Sequence, residues 1–547
     1  MALEELADEF WAWRGATQPD SYDDITRVER PAGWTADWSA DAIDARRRTL
    51  RELTRRYQAV DLTHEPVAIQ VNGRLLGSAL ARVHWELDLL RGWQRNPCFY
   101  IDQSLVAVYN LLLEPPPFQD ARAAAIIAHL RRVPAVLNQA RENLSGHAAA
   151  PFAAYALRVL TTADEQLRAA MSALAPLLPD EHRGSLPAAT DIAADAVVAY
   201  RDWLAEHLPS LTGPTAVGAE SFAFFLHRVA LLPYTAERLR VMGRQDWHRA
   251  VATEAILQRR LRNAPATPVL PHVARQIARQ HEDELDIRRF YVERGLLSQR
   301  ETLRHYRFAA MPEYLEPLTW LGVPHYTASP SRVDQDALRY VPAPREDLPY
   351  FALAEARDPR TGIIHEGVHA QQLALSWRHP DPIRRHYYDS APNEGIAFYH
   401  EELMLLSGLF DNAPASAEFV ANAMRLRALR VEVDIALALG DLTLDEVADE
   451  LASAVPMDRQ TAWEEAAFFA GNPGQGLSYQ IGKLQILDLL AACQRQQGEG
   501  FDLQAFHDRL WREGNVPFAL QRWELLGLLD HLNEAARLGA STRSGPA

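Results

Sequence analysis

The chain has 547 residues, 48% of them hydrophobic, and a formal net charge of −16. This acidic balance argues against a nucleic-acid-binding protein, because affinity for nucleic acid depends largely on basic residues that neutralise phosphates. No segment approaches the roughly 18 uninterrupted apolar residues of a membrane span, and the acidic start MALEELADEF is unlike a signal peptide. We therefore expect a cytoplasmic protein that binds neither nucleic acid nor membrane; the sequence leaves its oligomeric state open.

No Gly/Ser-rich or highly charged linker divides the chain, which favours a single domain over residues 1–540. The two cysteines, Cys98 and Cys493, lack the paired spacing of a zinc ribbon or redox motif. Within the domain we expect an outer helical half over residues 1–315 and a second half over 316–540 that contains the motifs described below. Residues 541–547 are predicted to form a flexible tail.

Most of the chain is predicted to be amphipathic helix. Apolar residues recur at spacings of three and four over 120–144, 222–232 and 267–299. Strand character is confined to about 322–356, which includes His325-Tyr326-Thr327 and Leu338-Arg339-Tyr340-Val341. The alternation there is weak and predicts a short hairpin or small sheet. The fold class is therefore mainly α.

A metal-binding motif follows the predicted sheet. Residues 365–369 read His-Glu-Gly-Val-His, and two histidines at i and i+4 share one face of a helix, where both can bind one ion. Glu366 would lie beside them and could deprotonate a water. The motif is short, and a surface helix with two solvated histidines is the alternative.

The surroundings of the motif favour the metal. Asp358-Pro359 or Thr361 could cap a helix that runs to about Trp377. Its apolar residues make the helix too hydrophobic for the surface, and histidines on a buried helix need partners. A metal would supply one.

A third ligand is predicted 25 residues after His369, at Glu394. Two histidines and a carboxylate are a common ligand set of catalytic zinc. Ser390 and Pro392 mark a helix start and Gly408 its end, so Glu394 lies in the first turn, on the same side as Glu401. Glu401 could then orient a metal ligand. The alternatives are a helix-start glutamate favoured by the helix dipole and, for Glu401 and Glu402, a solvated helix face.

A polar stripe is predicted on a third helix, opened by Asn472-Pro473 and continuing through Leu490. Gln475, Tyr479 and Lys483 are spaced by four, and Lys483 is the only lysine among 56 basic residues. A phenol near the metal could donate a hydrogen bond to the oxyanion of a tetrahedral intermediate. Gln475 and Lys483 are candidates for substrate binding; Lys483 could receive a substrate carboxylate or pair with a buried acid.

These blocks together resemble a bacterial family known as domain of unknown function 885, related in layout to helical zinc peptidases such as angiotensin-converting enzyme and to thermolysin-like gluzincins. Residues 393–401 look like its EGWALYAE block and residues 473–483 like its PGQALSYKIG block; residues 93–100, 506–508 and 514–517 are similar to weaker signatures. The resemblance spans nearly the whole chain. It implies an elongated α-helical fold with a deep internal cleft, with His365, His369 and Glu394 as metal ligands, Glu366 as general base and Tyr479 as oxyanion-stabilising residue.

The chain also departs from the family pattern. The family usually has Pro-Gly between the glutamate and the second histidine, whereas this chain has the plain HExxH spacing of proven zinc peptidases. The histidine of the family's DTGIH block falls on Ala438, its arginine before the PGQ block on Phe468, and its EGWA tryptophan on Ile396. The metal ligands are thus present, while positions expected to face substrate have changed.

Three functions fit these observations. The first is a zinc-dependent hydrolase that cleaves an amide bond in a short peptide or peptide-like metabolite, with one Zn²⁺ per chain and Glu366 and Tyr479 as catalytic residues. The second is a zinc-dependent tailoring enzyme acting on a non-peptide amide or ester, motivated by the changed positions Ala438 and Phe468. The third is a non-catalytic helical binding protein with a residual metal site, against which the intact Glu366 counts.

Overall fold

The structure is a computed structural model that describes residues 3–21, 29–265, 267–300 and 302–541. Apart from Ser541, the predicted tail lies outside these residues. The mainly α fold class is confirmed, with a small three-stranded sheet. The division into two halves and the elongated outline with a deep cleft stay predictions. In the described part of the chain, none of the helices has the length and apolar character needed to cross a membrane.

The first group of α-helices precedes the sheet in the sequence. They are α1 (Leu3–Thr17), α2 (Ala40–Gln58), α3 (Val67–His84), α4 (Gly92–Arg95), α5 (Cys98–Ile101), α6 (Ala107–Leu112), α7 (Asp120–Leu144), α8 (Ala150–Val159), α9 (Ala163–Leu174), α10 (Asp180–Arg183), α11 (Leu186–His207), α12 (Ala219–Phe224), α13 (Ala236–Leu261) and α14 (Val273–Glu293). Wider π-helical turns continue three of them, at Trp85–Leu90, Asp102–Val106 and Phe225–Val229.

The second group of α-helices follows the sheet and contains the motifs. They are α15 (Tyr350–Arg357), α16 (Arg360–Trp377), α17 (Pro382–His386), α18 (Ser390–Ser407), α19 (Pro414–Leu439), α20 (Leu444–Ala454), α21 (Arg459–Gly471), α22 (Gln475–Gln497), α23 (Leu503–Arg512), α24 (Phe518–Leu526) and α25 (Asp530–Ser541). Short 3₁₀ turns lie at Ala175–Leu177, Leu208–Ser210, Glu316–Leu321, Pro330–Arg332 and Gly498–Gly500.

The three strands are β1 (Tyr306–Ala310), β2 (His325–Tyr326) and β3 (Ala337–Val341). β3 lies in the centre, parallel to β1 and antiparallel to β2. The prediction located β2 and β3 but missed β1, whose hydrogen bonds come from a strand about 30 residues away in the sequence. The end of the predicted strand region was wrong, because α15 begins after Pro349, and three of its eight residues are alanine, the residue that most favours a helix.

The helix predictions differ from the structure mainly at their ends. α7 has the predicted bounds. The predicted helix over 222–232 becomes α12 with a π-helical turn, and the one over 267–299 is shorter because Gly295 has a φ of 60°. α22 begins at Gln475 rather than Asn472, because Gly474 before it has a left-handed φ of 98°.

The backbones of α18 and α22 touch where they cross. A Cβ added to Gly395 of α18 would lie 2.6 Å from the Cα of Gly482 of α22, and a Cβ added to Gly482 would overlap the carbonyl oxygen of Ala391. Glycine at both positions therefore allows the close approach. This crossing positions Glu394 beside the helix that carries Tyr479 and Lys483.

We expect Gly482→Ala to lower the free energy of unfolding by about 3 kcal/mol or more, because the added methyl group meets backbone atoms that cannot rotate away. Urea unfolding followed by circular dichroism measures the change. Gly367→Ala is the matched control, because a Cβ added there has no neighbour within 4 Å and alanine favours a helix over glycine. Equal stability of the Gly482→Ala and wild-type proteins would contradict the close approach.

Candidate metal centre

The HExxH motif lies in α16, one of the most buried helices of the protein. The ring centroids of His365 and His369 are 4.8 Å apart, as the i, i+4 spacing predicts. α16 begins after Pro359, and Oδ1 of Asp358 accepts a hydrogen bond from the backbone N–H of Arg360, the first residue of the helix, at 3.3 Å. Asp358 also forms an ion pair with the Arg360 side chain, at 2.7 Å. Of the two predicted caps, Asp358-Pro359 therefore lies at the helix start, whereas Thr361 lies within the first turn. The surroundings of the motif are buried, as predicted.

Glu394 completes a group of three possible ligands. Its Oε2 atom lies 3.4 Å from Nε2 of His365 and 3.3 Å from Nε2 of His369. One ligand atom from each of the three residues lies within 4.8 Å of the other two. Oε2 of Glu394 is buried without a hydrogen bond to described residues. Two imidazole nitrogens and a carboxylate oxygen that converge in this way fit a divalent cation such as zinc.

The proximity of these three residues shifts the pKa values of Glu394 and His365. Burial alone would raise the pKa of Glu394, but the two histidines outweigh it and hold that pKa far below its ordinary value. Burial alone would lower the pKa of His365, but the carboxylates of Glu394 and Glu401 raise it to about 10. The ionised Glu394 carboxylate thus favours a positive charge beside it, which either a proton on His365 or a bound cation can supply.

Glu401 lies behind the first histidine. Its Oε1 atom is 2.7 Å from Nδ1 of His365 and 3.4 Å from Nη2 of Arg427. Because a carboxylate accepts, Nδ1 of His365 donates, which leaves Nε2 free to bind a metal. Glu401 and Glu402 are 1% and 7% exposed, so neither lies on a solvated helix face.

Glu366 faces the space beside the ligands. Its side chain is 18% exposed, and Nδ1 of His325 lies 3.8 Å from its Oε2 atom. Burial would raise the pKa of Glu366, but His325 and the two HExxH histidines outweigh it and lower that pKa. The carboxylate is therefore ionised and able to accept a proton.

Tyr479 packs directly against the metal group. Its ring lies 6.1 Å from that of His365 between centroids, with an angle of 17° between the planes. The guanidinium carbons of Arg430 and Arg427 lie 4.9 and 5.4 Å from the centroid of the Tyr479 ring. The phenol thus lies between a candidate metal ligand and two cations.

The other two residues of the polar stripe have different surroundings. Lys483 is fully buried, and its Nζ atom lies 2.7 Å from Oε2 of Glu402 and 3.3 Å from Oδ2 of Asp246. Of the two roles left open by the sequence, pairing with a buried acid is the one that these contacts favour. Gln475 lies one turn before Tyr479 and accepts a hydrogen bond from the Ser390 hydroxyl at 2.5 Å.

Sequence reasoning missed several residues around the site. Arg427, Arg430 and Asp434 lie on one face of α19, at spacings of three and four that could have indicated this face. Asp434 is fully buried and accepts hydrogen bonds from the backbone N–H groups of Gly474 and Leu477, at 3.0 and 2.8 Å. It therefore caps the start of α22 from another helix and helps to position Tyr479.

A second group of possible ligands, Asp120, Glu181 and His182, lies on the surface. Its two carboxylates are exposed, as in many surface ion pairs without a metal. Of the two groups, the buried one is therefore the better candidate for a metal site.

The fold and the site define a mainly α protein with a possible His-His-Glu metal centre. The chain belongs to the family described as bacterial protein of unknown function (DUF885), whose sequence profile matches residues 24–524. No curated protein matches the chain.

Two solved structures share the fold. The first is described as "a putative lipoprotein of unknown function from Shewanella oneidensis", with a TM-score of 0.71 and 17% identity over 96% of this chain and 100% of that one. The second is described as "the putative lipoprotein from Colwellia psychrerythraea", with a TM-score of 0.70 and 14% identity over 98% of this chain and 99% of that one. At these identities the likeness shows the fold alone.

Proposed function

We propose that the protein is a zinc-dependent hydrolase that cleaves an amide bond in a short peptide or peptide-like metabolite. The observation that carries the proposal is the convergence of His365, His369 and Glu394 beside the ionised carboxylate of Glu366. A structural zinc site has no need of such a base, whereas hydrolysis does.

In the proposed reaction, each residue of the site has a separate role. Bound zinc would polarise the substrate carbonyl and make water more acidic. Glu366 takes the proton of the attacking water and returns it to the leaving amine. Tyr479 donates a hydrogen bond to the oxyanion of the tetrahedral intermediate. Glu401 holds His365 in the tautomer and orientation that binding requires.

We also propose a cytoplasmic location. The free cysteines Cys98 and Cys493 support it, because unpaired thiols are usual in a reducing compartment. The two structural neighbours are described as lipoproteins, which would place them in the cell envelope. Fractionation of cells into cytoplasm and envelope distinguishes the two locations.

The purified protein should contain one zinc ion per chain by elemental analysis. His369→Ala and Glu394→Ala should each lose most of the metal and keep the helical circular dichroism spectrum, because each removes a ligand. His182→Ala is the control, since it alters the exposed group and should keep the zinc. If the wild type bound no divalent ion even after reconstitution, the proposal would be wrong; full zinc retention in Glu394→Ala would move the third ligand elsewhere.

The substrate is identified by incubating the zinc-loaded protein with pools of short peptides and of metabolites, followed by mass spectrometry. Cleavage of peptides supports a peptidase. Stoichiometric zinc without turnover of any peptide, together with turnover of another amide or ester, would favour the tailoring enzyme that the changed positions Ala438 and Phe468 suggest.

A further inference from the structure

A cavity of about 480 Å³ is lined in part by the first residues of α18 and α22, the helices that carry Glu394 and Tyr479. Pockets for small-molecule ligands commonly have volumes of about 300–1,000 Å³. Ser390 and Gln475, which bond to each other, form part of its wall. Ser390 precedes Glu394 and Gln475 precedes Tyr479 by four residues of helix, a rise of about 6 Å. The cavity therefore lies about one helical turn from both the candidate metal ligand and the phenol.

The opposite wall of the cavity comes from the N-terminal helices and is rich in aromatic side chains. The main contributors are Phe10, Trp11, Trp85, Trp93, Phe99 and Phe225. Such a wall suits an apolar or aromatic group of a ligand, with a few polar groups to fix its orientation.

Arg82, near the end of α3, supplies one of those polar groups. It lines the cavity, its side chain is 24% exposed, and its Nη2 atom donates to Oδ1 of Asp389 at 2.8 Å. Asp389 is 2% exposed and directly precedes α18. A buried carboxylate thus fixes the guanidinium on the wall, and within the described residues this is its single hydrogen bond. Its other N–H groups are left for a ligand.

The acidic side chains of the same wall already have partners within the protein, and two of them are neutralised by arginines. Glu86 pairs with Arg14 at 2.5 Å and Asp20 with Arg30 at 2.9 Å. Glu29 accepts hydrogen bonds from Ser329 and Ser331, and Asp102 also interacts within the protein.

We propose that this cavity is a substrate site in which Arg82 binds a carboxylate, so that the substrate is a small amide with a free carboxylate and an apolar group. A planar guanidinium with unused N–H groups is the side chain best suited to bind a carboxylate. The assignment of this ligand as substrate rests on the proposed hydrolase function, whereas binding itself does not depend on it. Arg82 acts in this scheme as a specificity-determining residue.

Binding is tested with N-acetyl-L-phenylalanine and its C-terminal amide as probes. Calorimetry on the full-length protein, with and without zinc, measures both affinities; the metal-free measurement excludes binding of the carboxylate to zinc. We expect the acid to bind about tenfold or more tightly than the amide, as one charge-assisted hydrogen bond ordinarily provides. Arg82→Gln should remove this preference and leave the affinity for the amide unchanged.

Arg82→Lys keeps the positive charge but lacks the planar guanidinium, so it should retain part of the preference for the acid over the amide. This variant tests the proposal even if Arg82→Gln fails to fold. Arg74→Gln is the matched control, because Arg74 lies on the exposed face of the same helix and should keep the full preference. Equal binding of acid and amide by the wild type, binding of neither probe at millimolar concentration, or an unchanged preference in Arg82→Gln would overturn the proposal.

The kinetic test uses a substrate from the pools in its free-acid and C-terminal amide forms. Arg82→Gln should raise KM for the acid about tenfold and leave kcat and the amide's KM unchanged. The two proposals can fail separately. A carboxylate preference in binding without any hydrolysis would refute the hydrolase and keep the site, whereas hydrolysis without that preference would refute the site.

Discussion

Glu366→Gln should keep one zinc per chain and lower kcat by about 10²- to 10⁴-fold, because an amide cannot accept the proton of the attacking water. The side chain is nearly isosteric and binds no metal itself, so the fold and the three ligands stay intact. The measurement combines elemental analysis with turnover of the substrate found in the pools. KM should change little, because the lost interaction forms in the transition state.

Glu418→Gln is the matched control, since it makes the same change at an exposed position of α19 and should keep full activity. A Glu366→Gln protein that retained zinc and full turnover would show that another group takes the proton. His325, 3.8 Å from the Glu366 carboxylate, would then be the first residue to test.

Lys483→Met should lower the free energy of unfolding by about 2–4 kcal/mol, because it removes the buried cation that Asp246 and Glu402 share. Burial would raise the pKa of Asp246, but Lys483 and Arg249 outweigh it and hold that pKa below its ordinary value. In the variant the two carboxylates keep only one cation, the half-exposed Arg249, which lies 2.7 Å from Oδ1 of Asp246 and 3.0 Å from Oε1 of Glu402. Urea unfolding at neutral pH measures the loss, and the zinc content should stay unchanged.

Lys483→Arg separates size from charge. It keeps a cation, but the larger planar group has no free space at a fully buried position against Phe398, whose ring lies 4.4 Å from the ammonium. We expect a loss of about 1–3 kcal/mol of stability. Unchanged stability in both Lys483 variants, with KM raised for an acidic substrate, would contradict the pairing and return Lys483 to substrate binding.

The sequence predicted the parts of the site that local spacing encodes. His365 and His369 share a helix face by their separation alone, and Glu394 is marked by its place in the first turn after Ser390. Glu401 follows by two turns on the same side, which brings it to Nδ1 of His365. Each of these relations lies within one helix or between α16 and α18, which only the short α17 separates in the sequence.

The parts that were missed depend on distant segments. Asp434 caps a helix that begins 41 residues later, and the sequence around it reads only as a buried helix. β1 pairs with a strand that is separate in the sequence. The role of Lys483 was left open because a lysine suits a substrate carboxylate and a protein carboxylate equally well. Its partner Asp246 lies on α13, outside every motif that the sequence displayed.

The contact between Gly395 and Gly482 also constrains how the protein can move. Two helices whose backbones touch cannot slide or tilt past each other without a clash, since neither glycine carries a side chain that could yield. The carboxylate of Glu394 and the phenol of Tyr479 therefore travel as one rigid body. Any motion that admits a substrate must be taken up by other elements, such as the N-terminal helices across the cavity. Backbone amides near the crossing should accordingly exchange their hydrogens only through global unfolding, more slowly than amides of α3 on the opposite wall.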